Sequence, residues 1–289
     1  MKNKISSFNF TQLKNKNSFD SIINAFNNDG VILIKNVLQP DVCDEYIKIL
    51  NNVYNKTSIL QIKNNKSFSG NFSAKYVSNL HNKNTKFLKF LDYNFIYSLI
   101  LSLLQQGSYN NSGEIILQAN EARSPISKAP AQQLHNDARI IGSKYPLVIQ
   151  AMWALEDFKS NNGPTRFVLG SHKYLKFPLN KKKYVNEVLA TAKRGSVIIF
   201  NGSVWHGSSE VISDNTSRWA MIFRYGRWYL RPSFDFKRNT PIKTYNKMNN
   251  TQKELLGFNI ITPKDEFVNG NSVSNKFDDP INYKLPFKL

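Results

Sequence analysis

The sequence holds one cysteine, Cys43, so no internal disulfide can tie the chain together. It lacks a basic start followed by an apolar run, and no secretory leader is expected. Its longest apolar runs, such as Leu99 to Leu104 broken by Ser102, fall far short of a membrane span. These absences make a reducing cytoplasm the expected compartment. Acidic residues are scarce, 20 Asp and Glu against 39 Lys and Arg, for a net charge of +19. A clustered basic face would suit nucleic acid. The lysines are instead scattered from Lys2 to Lys288, and the densest group, Lys181-Lys182-Lys183, is a triplet. No recognition motif accompanies them, so no specific nucleic-acid partner is expected. Joint enrichment in Lys and Asn reads as drift toward AT-rich codons. The charge would still concentrate an anionic substrate, in a salt-dependent way.

What is present suits a packed enzyme-sized domain. Hydrophobic residues make up 41% of the 289 and aromatics 13%, with only 13 Gly and 11 Pro. That composition excludes a mostly disordered chain. No linker divides it, so residues 1–289 read as one domain, monomeric or homodimeric. A helical part spans about 1–112. Within it Gly30 ends a turn, Val31-Ile32-Leu33-Ile34 reads as a buried strand, and Pro40-Asp41 opens a helix. Leu88, Leu91, Phe95, Leu99 and Leu103 stripe a further helix over about 85–105. From about 113 to 232 the pattern changes to short strands, including 114–119, 133–139, 147–155, 196–200, 206–212 and 219–225. Many short strands in one block predict a mainly β sandwich or barrel with flanking helices. Helices ahead of strands exclude a doubly wound sheet. Residues 121–131, rich in Ser, Pro and Ala, read as a loop that could order over substrate. An extension runs from about 233 to 289.

Only four histidines exist, and two fall where chemistry can use them. If 133–139 is a strand, His135 and Asp137 point to one face, an imidazole beside a carboxylate. His206 follows the buried strand 196–200 and the turn Asn201-Gly202-Ser203. Together the three would form the two-His, one-carboxylate facial set of non-haem iron(II) oxygenases, which leaves adjacent positions for a bidentate keto acid and O2. Arg218, twelve residues beyond His206, is placed to fork onto the distal carboxylate of 2-oxoglutarate; otherwise it is a solvated arginine. Ser208, on the face of His206, could add a hydroxyl to that carboxylate. Trp153 reads equally as a wall beside the keto acid or as core. If the strand runs past Asp137, Arg139 shares the ligand face and would hold an anionic group on a substrate. His172 reads as structural, and His81 as a surface or helix-start residue.

Three stretches resemble the phytanoyl-CoA dioxygenase family. They are Gln133-Leu134-His135-Asn136-Asp137, Asn162-Gly163-Pro164-Thr165-Arg166-Phe167-Val168-Leu169-Gly170-Ser171-His172, and Gly195 to Phe200 followed by Trp205-His206-Gly207. The resemblance covers about 25–232. It implies a double-stranded β-helix of two facing antiparallel sheets. It also implies iron(II), 2-oxoglutarate and O2 as reactants, with His135, Asp137 and His206 on the metal and Arg218 and Ser208 on 2-oxoglutarate. The family often places a polar residue of one strand beside the keto acid, which points to Gln118. Leu169 stands where the family usually has Pro, which affects a turn. Asp137 disfavours the halogenating relatives, in which a small residue replaces the carboxylate. The expected reaction is hydroxylation of an aliphatic carbon of a small molecule, with succinate and CO2 released. Desaturation, cyclisation or epoxidation at the same iron is the alternative, and a basic jelly-roll binding protein is the non-enzymatic one.

Overall fold

The computed structural model describes residues 4–13, 16–63, 74–111, 114–214 and 218–259. The strands are β1 (Ser6–Asn9), β2 (Val31–Lys35), β3 (Ala74–Ser78), β4 (Ile115–Pro125), β5 (Val148–Ala154), β6 (Thr165–Val168), β7 (Glu187–Leu189), β8 (Val197–Asn201), β9 (His206–Ser208) and β10 (Ala220–Arg227). One sheet has the order β1-β2-β8-β5-β10-β4-β3, the other β7-β6-β9. Apart from the parallel β1–β2 pair, the pairings that set the site are antiparallel. This is the mainly β, jelly-roll architecture expected.

The chain divides into two compact units, Met1–Ser78 with Glu121–Ile222, and Asn79–Asn120 with Phe223–Leu289. In the first unit, helix α1 (Lys16–Asp29) buries Ile22 and Phe26 one turn apart. It ends where Gly30 N–H donates to the Phe26 carbonyl at 2.7 Å. Gly30 has φ +78°, the left-handed conformation that closes helices and that glycine adopts without strain. A Cβ there would lie 2.5 Å from His172 Nδ1, so the glycine also admits the histidine ring. His172 Nε2 lies 3.2 Å from the Asn27 carbonyl, the structural role its turn suggested.

Helix α2 (Pro40–Lys63) starts on a proline whose missing N–H costs nothing in a first turn. Cys43, Tyr46 and Leu50 make its buried stripe, and Asn51 accepts the Trp219 indole N–H at 2.9 Å. That contact fixes the entry to β10. Inside the unit, Val31, Leu33, Met152, Ala154, Ile198 and Phe200 of the large sheet share one core with Phe167 and Val188 of the small one.

In the second unit the stripe near 85–105 is not one helix. A 3-10 segment, Thr85–Phe90, precedes α4 (Asn94–Gln105), and α3 (Leu80–Lys83) precedes both. His81 is fully buried there, which corrects the surface reading. Its Nδ1 lies 3.0 Å from Asn120 Oδ1, its Nε2 3.4 Å from Thr240 Oγ1, and its ring meets Phe236 edge-on. Burial pushes its pKa down to about 4, although Asn120 pulls the other way. The extension continues as α5 (Phe236–Asn239), α6 (Ile242–Tyr245) and α7 (Asn250–Leu255). Residues 260–289 of it lie outside the described residues. Among the described residues no helix is long and apolar enough to cross a membrane.

Candidate active site

The site is built on one backbone exchange. His135 N–H donates to the His206 carbonyl and His206 N–H to the His135 carbonyl, each at 2.9 Å. Such a reciprocal antiparallel pair sets two side chains side by side, and the ring centroids are 4.4 Å apart. Gly207 permits the approach, because a Cβ there would meet the Gln132 and Gln133 carbonyls at 3.0 Å. Two residues on, Asp137 N–H donates to the Gly202 carbonyl at 2.7 Å, tying it to the turn between β8 and β9.

The side chains then converge. His135 Nε2 lies 3.6 Å from Asp137 Oδ1, and His206 Nε2 lies 3.5 Å from Asp137 Oδ2. One ligand atom from each of the three lies within 4.8 Å of the others. The opposite ring nitrogens face carbonyl oxygens: His135 Nδ1 is 3.1 Å from Gln133 O, and His206 Nδ1 is 2.9 Å from Val204 O. A carbonyl can only accept, so each Nδ1 carries the proton and each Nε2 turns its lone pair toward the carboxylate. Phe167 and Phe200 flank the His206 ring at 5.8 and 5.0 Å. Burial, joined by neighbouring His206, pushes His135 below its usual range against the pull of Asp137. Neutral imidazole is the metal-binding form. Two nitrogen lone pairs and a carboxylate, one face still open, suit a divalent iron.

The sequence missed what holds the carboxylate. Gln150, buried on β5, donates from Nε2 to Asp137 Oδ2 at 2.5 Å. It is the lone polar residue of Val-Ile-Gln-Ala-Met-Trp-Ala, which is the signal that could have found it.

Arg218 is also buried, not solvated. Its guanidinium lies over the Phe158 ring at 4.3 Å, and its backbone N–H donates to Ser124 Oγ at 3.0 Å. Its Nε and Nη1 have no hydrogen-bond partner among the described residues. Burial pushes its pKa down to about 10, partly countered by Glu156. A buried cation with open donors is costly unless an anion meets it, and the distal carboxylate of 2-oxoglutarate fits that need. Ser208 follows His206 by two on β9, half-buried, on the same face by alternation.

Three other expected residues are placed differently. Trp153 alternates with Gln150 and Met152 along β5, so it points to the opposite face from the residue touching Asp137. It is core. Gln118 belongs to the second unit, where its amide donates to the Leu230 carbonyl at 3.2 Å. Arg139 has φ +55°, and the pairing around it is a single bridge at His135 rather than a strand. The turn removes the premise that put Arg139 on the ligand face. Another arginine feels the site instead. β4 runs through residues read as loop, and Arg123 on it acts electrostatically on Asp137 and His135. Its guanidinium meets Glu121 at 2.6 Å and lies over Tyr76 at 5.2 Å, while Tyr76 donates to Glu121 at 2.7 Å.

Comparison with known proteins gives the family and the fold. The family model for phytanoyl-CoA dioxygenase matches residues 26–220. Dioxygenase trt7 of Aspergillus terreus is 30% identical over 199 residues, 66% of this chain and 67% of that protein. Multifunctional dioxygenase prhA of Penicillium brasilianum is 23% identical over 261 residues, 83% of each. Among solved structures, HygX of Streptomyces hygroscopicus with nickel, 2-oxoglutarate and hygromycin B superposes with TM-score 0.59 at 15% identity, covering 72% of this chain and 87% of that one. The α-ketoglutarate-dependent epimerase SnoN from nogalamycin biosynthesis gives TM-score 0.57 at 16% identity, covering 78% and 91%. The chain belongs to the phytanoyl-CoA dioxygenase family and is a non-haem iron dioxygenase that uses 2-oxoglutarate and O2.

Proposed function

We propose that this enzyme hydroxylates an aliphatic carbon of a small molecule and releases succinate and CO2. The observation that carries the reading is the convergence of His135 Nε2, His206 Nε2 and the Asp137 carboxylate, in a chain that also buries Arg218 with open donors among the described residues. In this reading His135, Asp137 and His206 hold iron(II), which with 2-oxoglutarate and O2 supplies an oxidant able to take hydrogen from unactivated carbon. Arg218 binds the distal carboxylate of 2-oxoglutarate as a charged fork, with Ser208 beside it. The Gln133 and Val204 carbonyls keep both imidazoles in the ligating tautomer. His206 sits against Phe167 and Phe200, which exclude water from that side. His135, with about a third of its side chain exposed, marks the side from which substrate arrives.

For the substrate we assign the anion-holding role to Arg123 in place of Arg139. Its side chain is nearly half exposed, Glu121 holds it at 2.6 Å, and its charge is the least of the causes that lower the His135 pKa. A small molecule carrying a carboxylate or another strong acceptor matches it. The solved epimerase and the α-ketoglutarate-dependent carbocyclase SnoK share this fold, so ring closure or epimerisation is the second reading. Screening small anionic molecules for stimulated succinate release, with product mass, separates them: a gain of one oxygen supports hydroxylation. Arg123→Ala should raise substrate KM with 2-oxoglutarate KM unchanged. An unchanged substrate KM removes Arg123 from the site.

A further inference from the structure

The surroundings of Asp137 carry one more inference, which rests on the iron reading above. We propose that Gln150 makes Asp137 a one-oxygen ligand, and so keeps open the coordination position that O2 needs.

A carboxylate turns easily about its Cβ–Cγ bond, because that terminal torsion is broad and two-fold. The backbone bond from Asp137 N–H to Gly202 places the residue but not the plane of its oxygens. Gln150 holds one of those oxygens by a direct hydrogen bond. Its own position is rigid: β5 pairs with β8 through Ile149↔Asn201, Gln150↔Phe200 and Ala151↔Ile199, and Gln150 is 2% exposed. From there Nε2 donates to Oδ2 at 2.5 Å, an amide bond to a charged acceptor. Burying an amide in an otherwise apolar strand is costly without such a partner, so the strand holds it for this contact.

The consequence is one of denticity. Asp137 turns Oδ1 toward His135 and Oδ2 toward His206. The amide takes one lone pair of Oδ2 and holds the carboxylate plane, which disfavours a metal chelated by both oxygens. With the amide in place one oxygen serves the metal. The two imidazoles and that oxygen then fill three positions, leaving two for the keto acid and one for O2. Without the amide the second oxygen can swing onto the metal and occupy the last of these. A glutamate at 150 would not substitute, since it brings a second carboxylate where a donor is needed. Gln150 is thus a positioning residue that acts through Asp137.

The test compares wild type with Gln150→Met and Gln150→Leu, which keep bulk and remove the donor. Asp137→Ala serves as control. Iron(II) affinity is measured anaerobically by calorimetry, the iron–2-oxoglutarate charge-transfer band by absorption, and the metal-free fold by thermal unfolding. We expect folded variants with a displaced charge-transfer band and with iron(II) affinity held or tightened, because a second carboxylate oxygen joins the metal. An unmoved band in either folded variant would overturn the proposal. Failure of both variants to fold also counts against it, because Gln150 would then serve the strand rather than the carboxylate. If wild type itself binds no iron(II), the iron reading falls with it. Tight wild-type binding with an unmoved band in the Gln150 variants sinks only this inference.

Discussion

Replacing Arg218 with methionine should make the empty protein more stable and its grip on 2-oxoglutarate far weaker. The two effects have one cause. In the empty site burial has pushed the guanidinium to about 10, which corresponds to about 3 kcal/mol held against its charge. That value already includes the opposing pull of Glu156, the ring of Phe158 lies under the guanidinium, and Nε and Nη1 are unsatisfied among the described residues. Methionine has similar reach, needs no partner and packs on Phe158, so the metal-free variant should gain about 1–3 kcal/mol. Binding runs the other way. Two charge-assisted hydrogen bonds at about 1.5–3 kcal/mol each are lost, so the dissociation constant for 2-oxoglutarate should rise by roughly 100- to 10,000-fold. Urea unfolding without ligand and anaerobic calorimetry with iron(II) and 2-oxoglutarate measure the two quantities. A variant that binds 2-oxoglutarate like wild type would refute the anchor. A variant clearly less stable than wild type when empty would show that the guanidinium is already satisfied.

His81 should impose an acid limit on stability. Its pKa is about 4 when buried and ordinary when unfolded, so the unfolded chain takes the proton first as pH falls. Stability from this group is full above pH ~6.5 and falls by about 3 kcal/mol by pH ~4; urea midpoints across that window should flatten in His81→Leu. Gly30→Ala should destabilise by about 1–2 kcal/mol from the left-handed backbone alone. The 2.5 Å approach to His172 adds to that cost. Thermal unfolding reads it, and an unchanged midpoint would contradict both causes.

How far the residues alone could reach depended on the kind of signal. His135, Asp137 and His206 were legible because histidines are few, His135 and Asp137 stand two apart, and the stretches that carry them resemble a family's motifs. Arg218 was legible through its distance from His206, but not its burial. Failures came where a pattern has two solutions. β5 is buried along both faces and only Gln150 marks a parity; with that mark unread, Trp153 was weighed for a place beside the site that Gln150 takes. Gln133 to Arg139 reads as alternating strand, yet the left-handed turn at Arg139 has no glycine to announce it. Charged residues and a proline made 121–125 look like loop. They form the part of β4 that pairs with β3, with Tyr76 opposite Arg123. His81 lies among polar neighbours, and only the distant Thr240 and Phe236 explain its burial.

The central claim is that three side chains hold the iron. Anaerobic titration of the metal-free protein with iron(II) and excess 2-oxoglutarate, followed by the charge-transfer band, tests it directly. Wild type should saturate at one iron per chain, and His135→Ala, Asp137→Ala and His206→Ala should each lose the band while remaining folded. A band of wild-type intensity in any folded one of them would contradict the assignment.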